Sequence, residues 1–221
     1  MDRIALITGA TGLVGKALVR LLLEKDYYSK IIILSRRELS IKDNRIEMVI
    51  LKDFDELESV ADQCNAHDVY CALGTTLKQA GSKEMFRKID VDWPVNLAKI
   101  CEKQPLFERY MVVTSHGANA DSPLFYNQVK GEVEDELKSL GLKSLKIFQP
   151  SLLLGYRDEF RLGEEVMKFL SAVLSFLMIG AKTRLWSIRG TEVAMAMYKI
   201  ARRQEEGLEV FSPRKMIQLA T

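Results

Sequence analysis

The stretch Ile4-Ala-Leu-Ile-Thr-Gly-Ala-Thr-Gly-Leu-Val-Gly-Lys-Ala-Leu-Val19 decides the fold of this chain. An apolar run, Ile4 to Ile7, ends in a glycine turn and passes directly into apolar residues at helical spacing, Leu13, Ala17, Leu18, Leu21 and Leu22. The turn therefore joins a strand to a helix. Gly9 permits a tight turn, Gly12 lets backbone approach a pyrophosphate without an intruding Cβ, and Gly15 lets the helix lie close to its strand. The amino end of that helix offers N–H groups and a positive dipole end to phosphate. Although the spacing is G-x-x-G-x-x-G and not G-x-G-x-x-G, its context reads as a dinucleotide cradle.

Working outward, strand-like and helix-like segments alternate, the pattern of a parallel sheet with crossover helices. Continuous apolar runs predict further strands at Lys30–Ser35, 46–51, 68–73, 110–114 and Ser144–Phe148. Helices are expected over 83–101 and over 124–140, the latter ended by Gly141. Beyond residue 150, apolar residues recur at helical spacing over 163–176 and 191–203. The reading is a single NAD(P)-binding domain over 1–221, α/β in class, a Rossmann-type doubly wound parallel sheet with helices on both faces. A small C-terminal portion, 151–221, is expected to cover the substrate side. Ligands of such sheets sit beyond the carboxyl ends of the strands, so the loops after residues 8, 35, 51, 73, 114 and 149 should share one crevice.

Composition narrows the partners. With 221 residues, 48% of them hydrophobic, and a formal net charge of +2, the chain is long enough for a substantial core and nearly neutral. The basic pairs Arg36-Arg37 and Arg202-Arg203 are too short for a nucleic-acid stripe or an anionic-membrane patch. No secretory signal opens the sequence, and the most apolar segment, 169–180, is too short to span a bilayer. Cys64, Cys71 and Cys101 are odd in number and lack metal-ligand spacing, so they read as reduced core residues and no metal is expected. The expectation is a cytoplasmic protein with a small-molecule substrate, no nucleic acid and no membrane. A homodimer through the helices at 83–101 and around Tyr126 is open, because the same apolar faces are needed to cover the sheet within one subunit.

Where an NAD-binding chain usually places an acidic residue after its second strand, this one has Ser35-Arg36-Arg37. Guanidiniums there favour a 2′-phosphate, hence NADP (NADPH) over NAD, although an arginine pair after a strand is also ordinary surface. Asp53 is placed either to accept from the adenine amino group or to cap a helix over 55–61. Tyr126 and Lys130 stand four residues apart on one helix face, and an adjacent ammonium lowers a phenol's pKa. Tyr126 is thus a candidate acid/base, and Lys130 a candidate ribose ligand. Thr114 and Ser115, at the end of the fifth strand, are candidates for the hydroxyl that steadies a substrate oxygen, the alternative being a loop cap. His67 and His116 are assigned no catalytic role.

Together the glycine turn, the Tyr126/Lys130 pair and the strand-end hydroxyls resemble the short-chain dehydrogenase/reductase superfamily, in its atypical, compact form. Cys71-Ala-Leu-Gly-Thr-Thr76, Ala80-Gly81 and Tyr126-Asn-Gln-Val-Lys-Gly-Glu-Val-Glu134 resemble the Tat-interacting-protein-like family of NADPH-binding oxidoreductases and its bacterial homologues. That resemblance covers about residues 3 to 165. By position it implies cofactor contacts at Thr11, Gly12, Leu13, Val14, Arg36, Arg37, Leu73 and Gly74, with Tyr126 and Lys130, and more loosely at Leu153 and Arg161. Two departures stand out: Gln149 precedes Pro150 where many relatives have arginine, and Ser115 lies closer to the tyrosine than in plain short-chain dehydrogenases.

The expected function is hydride transfer between NADP(H) and a small carbonyl or alcohol. An alternative is a non-catalytic NADPH-binding redox sensor whose apolar segment 169–179 meets a protein partner. A nucleotide-sugar epimerase ranks lower, because about seventy C-terminal residues are little material for a second nucleotide site.

Overall fold

Unbroken runs of β-branched and other apolar residues, such as Ile31 to Leu34, form strands that are buried on both faces. The computed structural model describes residues 2–154, 187–203 and 205–221. Its strands are β1 (Ile4–Thr8), β2 (Lys30–Ser35), β3 (Ile46–Ile50), β4 (Asp68–Cys71), β5 (Arg109–Val113), β6 (Ser144–Phe148), β7 (Leu152–Leu154), β8 (Ser187–Arg189) and β9 (Gly207–Phe211). A seven-stranded sheet has the order β3-β2-β1-β4-β5-β6-β9, with every neighbouring pair parallel. The order reverses beside β1, so the crevice between the carboxyl ends of β1 and β4 is the switch point where ligands bind in such sheets. A separate parallel pair, β7 with β8, sets Leu153 against Ile188.

Two apolar layers cover the sheet. On one face lie α1 (Leu13–Glu24), α6 (Gly190–Ala201) and α7 (Pro213–Ala220), around Leu18, Leu22, Ile33, Met197 and Phe211. On the other lie a 3-10 helix (Phe54–Cys64), α4 (Trp93–Glu102) and α5 (Phe125–Ser139), around Phe54, Val69, Leu97, Tyr110 and Val133. Two short helices, α2 (Leu77–Ala80) and α3 (Lys83–Arg87), precede α4.

The helix expected over 83–101 is not regular, because a π-helical turn (Lys88–Asp92) separates α3 from α4. Pro94 has no N–H to give the carbonyl of Asp90, four residues back, and a widened turn at that place follows from the missing donor. The helix expected over 55–61 is the 3-10 helix, with Glu56 and Val60 outside helical geometry. At the C-terminus, part of the stretch expected to cover a substrate completes the sheet and one helical layer. There β9 is the edge strand beside β6, and α6 lies so close to α1 that a Cβ on Gly190 would stand 3.0 Å from the Leu13 carbonyl oxygen.

At the amino ends of the central strands, away from that crevice, Asp68 is fully buried between two guanidiniums. Its oxygens meet Arg3 Nη2 at 2.9 Å and Arg109 Nη1 at 2.5 Å, and Tyr28 donates its hydroxyl to the same carboxylate at 2.9 Å. Burial, with the neighbouring charge of Asp68, pushes the pKa of Tyr28 and of Tyr70 well above the ordinary phenol value. This knot ties β1, β4 and β5 together.

Candidate active site

The glycine turn shows directly why its residues are glycines. Gly9 has φ +73°, and a Cβ there would stand 2.2 Å from the Ala72 carbonyl oxygen at the end of β4. A Cβ on Gly15 would stand 2.1 Å from the Gly9 carbonyl oxygen, so α1 can approach the turn only without one. Gly12 is the N-cap of α1 in extended geometry, and it supplies no side chain to cap the first turn. No acidic residue lies in that turn either, so the positive end of the helix faces the crevice without a competing carboxylate. Thr11 and Gly12 are exposed, Leu13 is half-buried, and Val14 and Gly15 are buried beneath them.

Beside the turn lies a cleft of about 570 Å³ between the outer face of α1 and the segment that follows β2. Ala10, Thr11, Lys16 and Arg37 line it, and Arg36, though exposed at the same strand end, does not. Asp53 is exposed and its carboxylate accepts from the Asp55 N–H at 3.0 Å, as the cap of the 3-10 helix.

On α5, Tyr126 is half-buried and Lys130 is buried one turn later. Lys130 Nζ stands 2.6 Å from Asp90 Oδ1, with the two side chains 5% and 0% exposed. The second oxygen of Asp90 accepts from the Thr75 N–H at 2.9 Å. Burial works to lower the Lys130 pKa, but attraction to Asp90, and then to Tyr126 when that phenol is ionised, outweighs it and holds the pKa above the ordinary lysine value. Gly74, exposed after β4, lies over the pair: a Cβ there would be 3.7 Å from Asp90 Oδ1 and 3.8 Å from Lys130 Nζ. Leu73 beside it is half-buried. The crevice therefore brings Leu73, Gly74, Tyr126 and Lys130 into one neighbourhood, and the lysine arrives there already paired.

The two strand-end hydroxyls have different fates. Thr114 donates to Glu134 Oε1 at 2.7 Å, and Gln149 Nε2 donates to both oxygens of the same carboxylate, at 2.8 and 3.0 Å. Glu134 thus ties α5 to the ends of β5 and β6. Ser115 is 7% exposed, and its buried hydroxyl has no hydrogen-bond partner. A buried hydroxyl left unpaired is costly in a resting protein, which marks Ser115 Oγ as a group suited to a bound oxygen.

Asp90, Glu134 and Gly131 were not singled out as site residues from the sequence. Asp90 follows Phe86 by one helical turn on the buried face, and a carboxylate on an apolar face was the available signal. Gly131 sits inside α5, where a Cβ would stand 2.0 Å from the Ala120 backbone nitrogen. Its absence lets the loop after Ser115 lie on the helix, where Asn119 N–H donates to the Asn127 carbonyl at 3.0 Å. Of the looser cofactor candidates, Leu153 is half-buried against the α1 layer. Arg161 and the segments 163–176 and 169–180 lie outside the described residues.

Fold and turn define a nicotinamide-dinucleotide-binding protein of the short-chain dehydrogenase/reductase kind. The sequence model of the NAD dependent epimerase/dehydratase family matches residues 5–134, and the chain belongs to that family. Over 162 residues it is 35% identical to Protein HTATIP2 of Rattus norvegicus, an alignment covering 72% of this chain and 66% of the rat protein. It is 37% identical over 157 residues to Protein FMP52, mitochondrial, of Candida albicans, covering 69% of this chain and 68% of that one. Among solved structures, the Bordetella bronchiseptica enzyme WbmH in complex with NAD+ superposes with a TM-score of 0.70 over 96% of this chain and 76% of its own, at 16% identity, a likeness of fold. One expectation is corrected. A purely cytoplasmic protein conflicts with several yeast relatives named as mitochondrial, which composition and cysteine usage could not have revealed. Among the described residues no helix is long and apolar enough to cross a membrane.

Proposed function

We propose that this protein is an NADP(H)-dependent oxidoreductase of the atypical short-chain dehydrogenase/reductase type, acting on a small carbonyl or alcohol. The observation that carries the proposal is the unpartnered, buried Ser115 hydroxyl just past the end of β5, taken with Tyr126 and Lys130 one turn apart on α5. The glycine turn, with no side chain capping α1 and a cleft at its flank, fits a dinucleotide. When bound, the nicotinamide supplies or accepts the hydride. Tyr126 gives its phenolic proton to the substrate oxygen in reduction and takes it back in oxidation. Ser115 donates a hydrogen bond to that oxygen and orients it toward the phenol. Lys130, anchored by Asp90, presents a fixed ammonium to the ribose hydroxyls and the phenol.

Preference for NADP is supported by the arginines after β2, where a carboxylate would repel a 2′-phosphate. The test is Tyr126→Phe, assayed by NADPH oxidation against a panel of small aldehydes and ketones, with calorimetric NADPH titration alongside. Loss of turnover with unchanged NADPH affinity is the expected result. Unchanged turnover removes Tyr126 from the mechanism.

A further inference from the structure

Ser115 is held in place by its neighbours, since its own hydroxyl has no partner. On one side of it the Thr114 N–H donates to the Phe148 carbonyl at 2.9 Å, and on the other the His116 N–H donates to the Pro150 carbonyl at 2.8 Å. Between those two acceptors stands Gln149, whose amide donates to both oxygens of Glu134. Thr114 gives its hydroxyl to the same carboxylate at 2.7 Å. One side chain, 3% exposed in its residue, therefore grips both the residue before Ser115 and the strand end that flanks it. Lys138, one turn further along α5 and partly exposed, stands 3.6 Å from the second oxygen of that carboxylate.

Resting on the oxidoreductase reading above, we infer that Glu134 is a positioning residue of the reaction: through Thr114 and Gln149 it sets where Ser115 stands relative to Tyr126. Glu134 lies on α5 four residues after Lys130 and eight after Tyr126, so a rigid axial rise of about 12 Å fixes its carboxylate with respect to the phenol. The apolar contacts of Val129, Val133 and Leu137 hold α5 on the sheet but are non-directional, and they leave small slides of the helix cheap. Three hydrogen bonds to a buried carboxylate are directional and short, and they remove that freedom at the strand ends. The consequence is chemical. Ser115 and Tyr126 belong to different elements, yet in the proposed reaction both must reach one substrate oxygen, and a misplacement of about 1 Å can cost on the order of 10²-fold in rate.

The experiment is a double-mutant cycle on the full chain. Glu134→Ala, Glu134→Gln and Gln149→Leu are each made in wild type and in Ser115→Ala, and NADPH oxidation is followed with 4-nitrobenzaldehyde and the panel of small aldehydes and ketones. Urea unfolding and calorimetric NADPH titration accompany each variant. Glu134→Ala should lower kcat roughly 10- to 100-fold with KM and NADPH affinity nearly unchanged, and Gln149→Leu, which leaves the Thr114 bond in place, should lower it by less. Glu134→Gln should recover most of the rate, because the Gln149 amide can turn and offer its oxygen. In the Ser115→Ala background the same substitutions should cost less than about twofold more, since the group they position is already gone. Equal losses in both backgrounds, or a parallel loss of NADPH affinity, would show that Glu134 only supports the fold. Undiminished kcat in folded Glu134→Ala also overturns the assignment, and if that variant does not fold, Gln149→Leu reads the same cycle. Wild type that oxidises NADPH with no member of the panel overturns the oxidoreductase reading itself, and the positioning role falls with it.

Discussion

Lys130 and Asp90 form a buried ion pair, Nζ to Oδ1 2.6 Å, between the helix that carries the candidate acid/base and the π-helical turn that precedes α4. The lysine is therefore not a bare cation beside Tyr126, as helix spacing alone suggests. Its position is set before any ligand arrives, because the carboxylate that holds it is itself fixed by the Thr75 N–H. Breaking the pair from the acidic side leaves an uncompensated ammonium in the interior, a situation that costs roughly 3–5 kcal/mol.

Asp90→Asn should lower stability at neutral pH, and the deficit should shrink as the pH rises. In wild type the Lys130 pKa is raised above the unfolded value, so its contribution is complete below that value and is lost only as the pH climbs through the folded pKa. In the variant the attraction to Asp90 is gone, and burial, the largest influence on Lys130, outweighs the smaller pull of Tyr126 and Cys71, so the folded pKa should fall below the unfolded one. The unfolded state then binds the extra proton, so stability increases with pH up to the ordinary lysine range. Urea unfolding of both proteins from pH 7 to 10 reads this convergence. A gap that stays constant across that range would show that the pair is not what the substitution disturbs.

Ser115→Ala and Thr114→Val should separate chemistry from stability. Removing the unpartnered Ser115 hydroxyl should leave the urea midpoint unchanged or slightly higher, yet reduce turnover by roughly 10²–10³-fold, as loss of an oxygen-binding donor does. Thr114→Val strips the Glu134 carboxylate of a donor and should cost about 1–3 kcal/mol of stability. If Ser115→Ala proves as destabilising as Thr114→Val, its hydroxyl is structural and the proposed role fails.

Gly131→Ala should be among the most damaging substitutions in α5, although alanine is the better helix former. The added Cβ, 2.0 Å from the Ala120 nitrogen, must push the 117–121 backbone off the helix, and overpacking of this kind costs typically about 1–3 kcal/mol. Gly141→Ala supplies the contrast: nothing lies within 4 Å of a Cβ there, so only its positive φ of +68° opposes the change. Hydrogen exchange at Ala118 and Asn119 should accelerate in Gly131→Ala and not in Gly141→Ala. Equal protection in the two variants would contradict the contact.

Asp68→Asn, at the opposite ends of the strands, should destabilise by roughly 3–5 kcal/mol while leaving nucleotide affinity intact, since it deprives Arg3 and Arg109 of their shared carboxylate. Calorimetric titration with NADPH below the unfolding temperature tests the second half. A loss of affinity parallel to the loss of stability would mean that the two ends of the sheet are coupled.

Much of the fold was legible because it rests on local physics. The period of apolar residues marks β2 and β6 at their observed bounds, and Gly9 and Gly15 announce a turn too tight for any Cβ. What escaped was weakly patterned. β9 is a half-exposed edge strand of five residues, Gly207–Phe211, whose alternation is faint, and Pro94 left its mark as a π turn where a plain helix was expected.

By itself the sequence determined the cradle, the alternation of strands and helices, and the pairing of Tyr126 with Lys130 on one helical face. Each of those depends on residues a few positions apart, whose geometry backbone dihedrals and helix period dictate. Tertiary structure alone decided that Lys130 meets Asp90, that Glu134 gathers Thr114 and Gln149, that Gly131 receives the loop after Ser115, and that Arg37 faces Lys16 across one cleft. Those partners are distant in the chain, and they meet because of the strand order, β4 beside β1 and β5 beside β6, which no local run of residues encodes.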